Sequence, residues 1–200
     1  MSLNFKCYIA VLTAAVILLA LPLGAFGDQA EPGLLTKLSL TELTVVVGYG
    51  NASVSESAYE HVALIWHLGF DLKHLFTRLQ EHHGILSFAL EPKINPAFNP
   101  DTDVEVGIGF GLKYRYPISE TWSVYVLGSV GPHLITVQTK DQANGFVFFD
   151  TVGAGLSFFL AKKSAVNLEY RFRHVSNAGI KKPNNGIDSH IVAIGYSFFF

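Results

Sequence analysis

From Asp103 to Tyr116 every second residue is apolar or aromatic, and every residue between them is charged or glycine. Val104, Val106, Ile108, Phe110, Leu112, Tyr114 and Tyr116 share one face, whereas Asp103, Glu105, Gly107, Gly109, Gly111, Lys113 and Arg115 share the other. A period of two sustained this long describes a β-strand between two different environments and fits no helix. The split recurs along the chain. Tyr59, His61, His67 and Asp71 oppose Val62, Leu64, Trp66, Leu68 and Phe70; Asn167, Glu169, Arg171 and Arg173 oppose Val166, Leu168, Tyr170 and Phe172. Eight segments read this way, at about 42–50, 58–70, 84–92, 102–116, 121–137, 146–160, 165–176 and 187–200.

Alternation alone also suits a soluble sandwich, so the choice rests on other features. Half of the residues are hydrophobic and 13% are aromatic, yet beyond the N-terminus no apolar run reaches the ~18–20 residues of a membrane helix. The polar faces mix glycine with ionised groups, as a narrow polar lumen requires, and the apolar faces carry Tyr, Trp and Phe near strand ends like interfacial girdles. Closing the sheet removes the unpaired edges that lipid would leave unsatisfied. The last strand alternates to the chain end at Phe200, which resembles the terminal aromatic signal of bacterial outer-membrane proteins. The expected fold is all-β: an eight-stranded antiparallel transmembrane β-barrel with both ends in the periplasm. Segments 117–120 and 161–164 read as periplasmic turns, and 93–101, 138–145 and 177–186 as external loops. In 71–83, Leu72, Leu75, Phe76 and Leu79 have helical spacing, so a short amphipathic periplasmic helix is expected there, as a cap beneath the barrel.

The N-terminus has the form of a signal peptide over residues 1–27. Lys6 supplies a basic start, Tyr8 to Leu23 is almost wholly apolar, and Ala25 and Gly27 suit cleavage before Asp28. An uncleaved anchor is the alternative. Cys7, the single cysteine, leaves with the peptide, so residues 28–200 form a barrel without thiol chemistry, placed in a Gram-negative outer membrane. A net charge of −2 without a basic cluster gives no reason to expect nucleic acid.

Chemistry gathers at the outward end of the last two strands. His174 and Ser176 continue the lipid-facing row of Tyr170 and Phe172, and Asp188 shares parity with Tyr196, Phe198 and Phe200. Polar groups on a lipid face cost free energy, less toward the interface than at the midplane. Residues two apart on one strand face lie roughly 6.5–7 Å apart, so Ser176 is placed to act as nucleophile, His174 as its base and Asp188 as the group that holds the imidazole. The other reading puts all three in solvated loop. No G-x-S-x-G elbow supports a soluble hydrolase.

The stretch His174-Val175-Ser176-Asn177-Ala178-Gly179-Ile180, followed by Pro183-Asn184 and Gly186, resembles the C-terminal signature of the lipid A 3-O-deacylases, the PagL family. The resemblance implies Ser176 as nucleophile and His174 as base. It implies Asn177 and Gly179 at positions that help form the oxyanion hole, and Asn184 as a further functional asparagine. The family pattern has glutamate where this chain has Asp188, one methylene shorter, which puts the orientation of the imidazole in question. Glu169 points inward and is no substitute. The implied reaction releases a 3-hydroxy fatty acid from lipid A of lipopolysaccharide in the outer leaflet, with no metal or cofactor. The rivals are a non-catalytic structural or adhesion barrel and another lipid hydrolase or acyltransferase. Oligomeric state is left open, a homodimer included.

Other signals carry less. His82-His83 lacks suitably spaced ligands for a metal, and the glycines at 107–111 precede no helix, so phosphate binding is unsupported. His61 and His67 are expected in an interior network with Glu105, Lys113, Glu169 and Arg171.

Overall fold

The computed structural model describes residues 39–73 and 83–200. The expected signal peptide with Cys7, most of the expected 71–83 helix, and His82 lie outside the described residues. Eight strands follow one another: β1 (Leu40–Val54), β2 (Ser57–Asp71), β3 (Ile85–Asn99), β4 (Asp103–Pro117), β5 (Trp122–Ile135), β6 (Gly145–Ala161), β7 (Ser164–Ser176) and β8 (Ile187–Phe199). Each pairs antiparallel with the next, and β1 pairs with β8 from Glu42↔Phe199 to Asn51↔His190, which closes the barrel.

The parity of the sequence becomes inside and outside. Val45, Val47, Leu112, Tyr114, Leu168, Tyr170, Val192 and Ile194 are exposed on the outer wall, whereas Glu105, Lys113, Glu169 and Arg171 are buried within. A transmembrane strand needs only ~9–11 residues, so strands of 13 to 17 residues project beyond the hydrocarbon. Counted from Ser164, the last residues of β7 reach the boundary at the end bearing the longer loops, which the expected topology makes external.

β3 differs from expectation. Pro92 and Pro96 suggest a strand ending near 92 and a loop at 93–101, but β3 runs to Asn99. Both prolines sit at outward positions and pair with Ile108 and Val104 of β4, while the register toward β2 passes over them. The missing N–H groups therefore weaken one ladder and leave the other intact. The extension adds the buried Lys93 and Asn95 to the lumen, next to the buried Glu91.

The lumen is filled by paired charges. Arg171 bridges Glu91 at 2.9 Å and Glu169 at 2.7 Å, Lys113 meets Glu42 at 2.6 Å, and Arg173 meets Glu105 at 2.5 Å. Asn95 and Tyr59 also donate to Glu105, and His67 Nδ1 lies 3.1 Å from Glu91. His61 faces inward as expected, but neither ring nitrogen is hydrogen-bonded to any described residue. Its imidazole packs on Tyr59 and fills the space that a side chain at Gly50 would need. Near the external end the lumen turns apolar: Tyr59, Ile135, Val137, Phe149, Val175 and Ile187 are among the buried residues of one cluster. Burial of each large side chain there contributes about 1.5–3 kcal/mol. Val175 and Ile187 thus anchor β7 and β8 directly beneath the outward groups of interest.

Candidate active site

β7 places His174 and Ser176 on the outer wall, with the inward Arg173 and Val175 beside them. His174 is the direct cross-strand partner of Asp188, and Val175 of Ile187. Directly opposed residues on one face of an antiparallel pair have Cβ atoms about 4.5–5.5 Å apart, so a short carboxylate suffices to span the gap. His174 Nδ1 lies 2.6 Å from Asp188 Oδ1, with the two side chains 34% and 62% exposed. Aspartate therefore reaches the imidazole despite the methylene it lacks. A carboxylate at Nδ1 favours the proton there and leaves Nε2 as acceptor.

The other side of the ring leans over Gly186. A Cβ added to Gly186 would lie 2.5 Å from His174 Cε1 and 3.2 Å from Nε2, and its φ of +85° also favours glycine. Gly186 immediately precedes the Ile187 that pairs with Val175, as Ser176 immediately follows it. The Nε2 edge is thus turned toward the level of Ser176. Ser176 Oγ itself has no hydrogen-bond partner among the described residues. A nucleophile–base contact commonly tightens only when substrate arrives.

The loop after β7 is held by its own amides. Asn184 Oδ1 accepts the Asn177 N–H at 2.7 Å, and Asn177 Oδ1 accepts the Gly179 N–H at 3.0 Å. Asn177 Nδ2 donates to the Lys181 carbonyl at 2.7 Å. The two N–H groups expected as oxyanion donors are therefore engaged inside the loop, and Asn184 is one of the groups that engage them. A second loop, 136–144, braces the first. Gln142 bridges to Asn184, Ala143 donates to the Pro183 carbonyl at 2.9 Å, and Lys181 Nζ donates to Asn144 Oδ1 at 2.7 Å. Asp141 accepts from the Ser55 N–H at 2.6 Å, its hydroxyl at 2.8 Å and Asn185 Nδ2 at 3.1 Å. The Ser55 N–H, then Asn185 and the Ser55 hydroxyl, hold the Asp141 carboxyl below its usual range.

Two neighbours escaped the reading of the sequence. One is Gly186 as the seat of the imidazole, which a positive φ reveals only in three dimensions. The other is Asp150, the partner of His174 across β6 and β7. It is exposed on the outer row of β6 between Phe148 and Val152. The parity that exposes His174 would have found it. One rung further from the loops, His190 Nδ1 lies 2.5 Å from Tyr170 Oη and its ring packs against Phe172.

A family model described as lipid A 3-O-deacylase (PagL) matches residues 48–197, which take in every residue of this site. Neisserial surface protein A shares the fold with a TM-score of 0.62 at 14% identity, over 82% of this chain and 99% of that one. The outer membrane enzyme PagL does so with a TM-score of 0.50 at 17% identity, over 80% and 99%. Likeness at these identities speaks for the fold alone. No curated protein sequence matches. The comparisons give no support to a homodimer.

Proposed function

This chain belongs to the lipid A 3-O-deacylase (PagL) family, and from that premise we propose that it is an outer-membrane serine esterase that hydrolyses the 3-O-linked acyl chain of lipid A. Ser176 Oγ attacks the ester carbonyl while His174 Nε2 takes its proton, and Asp188 holds the Nδ1–H and stabilises the imidazolium. Collapse of the tetrahedral intermediate transfers the acyl group to Ser176 and returns the proton to the departing sugar oxygen. Water, activated by the same imidazole, then releases a 3-hydroxy fatty acid. Neither metal nor cofactor enters this scheme.

The observation that carries the reading is the His174–Asp188 hydrogen bond on the outer wall, two residues from a serine hydroxyl on the same face that has no partner among the described residues. A structural pair gains little from standing on a lipid-facing surface, whereas a site for a membrane ester has to open there. By family position Asn177 and Gly179 supply the oxyanion hole, with Asn184 as the further functional asparagine. Their N–H groups then exchange the Asn184 and Asn177 side chains for the substrate oxygen as it binds. Such a donor typically lowers the barrier by ~2.7–4 kcal/mol.

Mass spectrometry of lipid A from cells with and without the protein tests the reading. Loss of one 3-hydroxyacyl chain is expected, and Ser176→Ala should abolish it while the barrel keeps heat-modifiable migration. Unchanged lipid A around folded barrel would favour a non-catalytic barrel, and acyl loss from phospholipid instead would favour another lipid hydrolase. We also propose that residues 1–27 leave as a signal peptide, in which case N-terminal sequencing of the membrane form begins at Asp28.

A further inference from the structure

We propose that the mouth of the barrel opposite the longer loops holds a binding site for a phosphate group, built on the Arg115 guanidinium. The site is separate from the esterase reading: it adjoins the turn that precedes β7, whereas Ser176 ends that strand. Inside the lumen a cation normally has a carboxylate. Lys113, Arg171 and Arg173 each meet a glutamate at 2.5–2.9 Å, and Lys93 lies 3.7 Å from Glu91. Arg115, two residues from the end of β4, departs from this pattern. It makes no hydrogen bond or ion pair with any described residue, and its Nε is buried. Its guanidinium lies over two rings instead, 4.8 Å from the centre of Phe199 and 5.6 Å from that of Phe159, which stack on each other at 5.3 Å. Stacking occupies the flat face of the group and leaves the N–H donors around its edge free. A donor withdrawn from water without an acceptor is costly, so an anion at that edge supplies what the protein does not.

Space and charge suit a phosphate. Arg115 lines a cavity of about 310 Å³, room for the anion and several waters at ~30 Å³ each. Lys162, exposed on the turn between β6 and β7, and the buried Ser87 line it as well. Two carboxylates share the cavity, and both are engaged elsewhere. Glu42 meets Lys113 at 2.6 Å, and Asp71 Oδ1 accepts the Lys73 N–H at 2.7 Å. With Glu42 and Lys113 cancelling, Arg115 and Lys162 outweigh Asp71. The guanidinium fork takes two phosphate oxygens side by side, and a third oxygen, which a carboxylate lacks, is left for Lys162 and Ser87. Depth agrees. Trp122 and Phe158 stack at 4.8 Å on the outer wall, one residue from Phe159, and such girdle aromatics lie at headgroup level. Lipid headgroups and dissolved phosphate both reach that level.

The test follows the Arg115 Nε–Hε resonance, assigned by its loss in Arg115→Lys, in the full chain folded in phosphate-free maltoside micelles. Inorganic phosphate is titrated into one sample and phosphatidylglycerol into another. Sodium chloride at matched ionic strength and a phosphate-free glycolipid are the controls. A saturable shift with a phosphate source, absent from both controls, is expected. A shift with inorganic phosphate identifies a dissolved ligand, and one with phosphatidylglycerol alone identifies a membrane headgroup. Broadening of the ligand's phosphorus signal then compares variants whose heat-modifiable migration shows a folded barrel. Arg115→Lys keeps the charge but loses the fork, and affinity should fall about tenfold. Lys162→Gln should cost about two- to fivefold, and Lys140→Gln, exposed at the far end, nothing. No saturable shift from either source overturns the proposal, as does a shift that the controls reproduce. Undiminished affinity in folded Arg115→Lys overturns it too, since the guanidinium would then not be the seat of the anion.

Discussion

At the scale of single residues, the imidazole of His174 is fixed from two sides. Asp188 holds Nδ1 at 2.6 Å, and the absent side chain of Gly186 leaves room for Cε1 and Nε2. Asp188→Asn removes the charge and reverses the hydrogen-bond preference at Nδ1. For the proposed triad a fall of about 10³–10⁴ in kcat is expected, by analogy with known serine triads, with KM nearly constant in single-turnover and steady-state assays. Asp188→Glu should retain activity to within about tenfold, since the longer carboxylate keeps the charge. Gly186→Ala forces the ring away and strains a backbone with φ of +85°; a misplacement near 1 Å costs about 10²-fold. Rates that survive Gly186→Ala unchanged would mean that the ring swings freely and is not seated by this glycine.

Between elements, the loop after β7 and the loop 136–144 form a bracket in which side-chain amides replace regular pairing. Asn184→Ala leaves the Asn177 N–H without its acceptor, and the loop should lose about 1–3 kcal/mol of local stability, visible as faster hydrogen exchange over 177–186. Asp141 adds a pH dependence. Its carboxyl is held below the usual range in the folded state by Ser55 and Asn185, so its contribution is complete above the ordinary aspartate value near 4 and fades as pH falls through the depressed folded value. Protection factors at Ser55 and Asn185 should therefore decline in strong acid, and Asp141→Asn should remove that decline. The strands themselves were legible because inside and outside residues alternate from Asp103 to Tyr116 and again in β7. The far half of β3 was not, since Pro92 and Pro96 read as loop until their outward placement and intact β4 register are seen. Loop amides were illegible for a related reason: spacing shows that Asn177, Gly179 and Asn184 are near one another but not which N–H meets which oxygen. Asp150 was legible in principle, as its parity on β6 matches that of the aromatic row.

As a whole, the molecule separates its two kinds of polar group by the thickness of the sheet. Inside, Glu105 gathers Arg173, Asn95, Tyr59 and His133 while only 1% exposed. Glu105→Gln leaves Arg173 buried without its counter-charge, which should destabilise the barrel by about 3–5 kcal/mol, read as a lower urea midpoint for loss of heat-modifiable migration. That network and the apolar cluster above it occupy the lumen, so the proposed chemistry is left to the outer wall. Catalysis on an outer wall is a two-dimensional problem. For the proposed esterase, the quantity that loads His174 and Ser176 is the mole fraction of substrate among neighbouring lipids, whatever the amount suspended in the surrounding water. Diluting lipid A with inert detergent at constant total substrate should slow turnover in proportion, and adding more micelles of unchanged composition should not restore it.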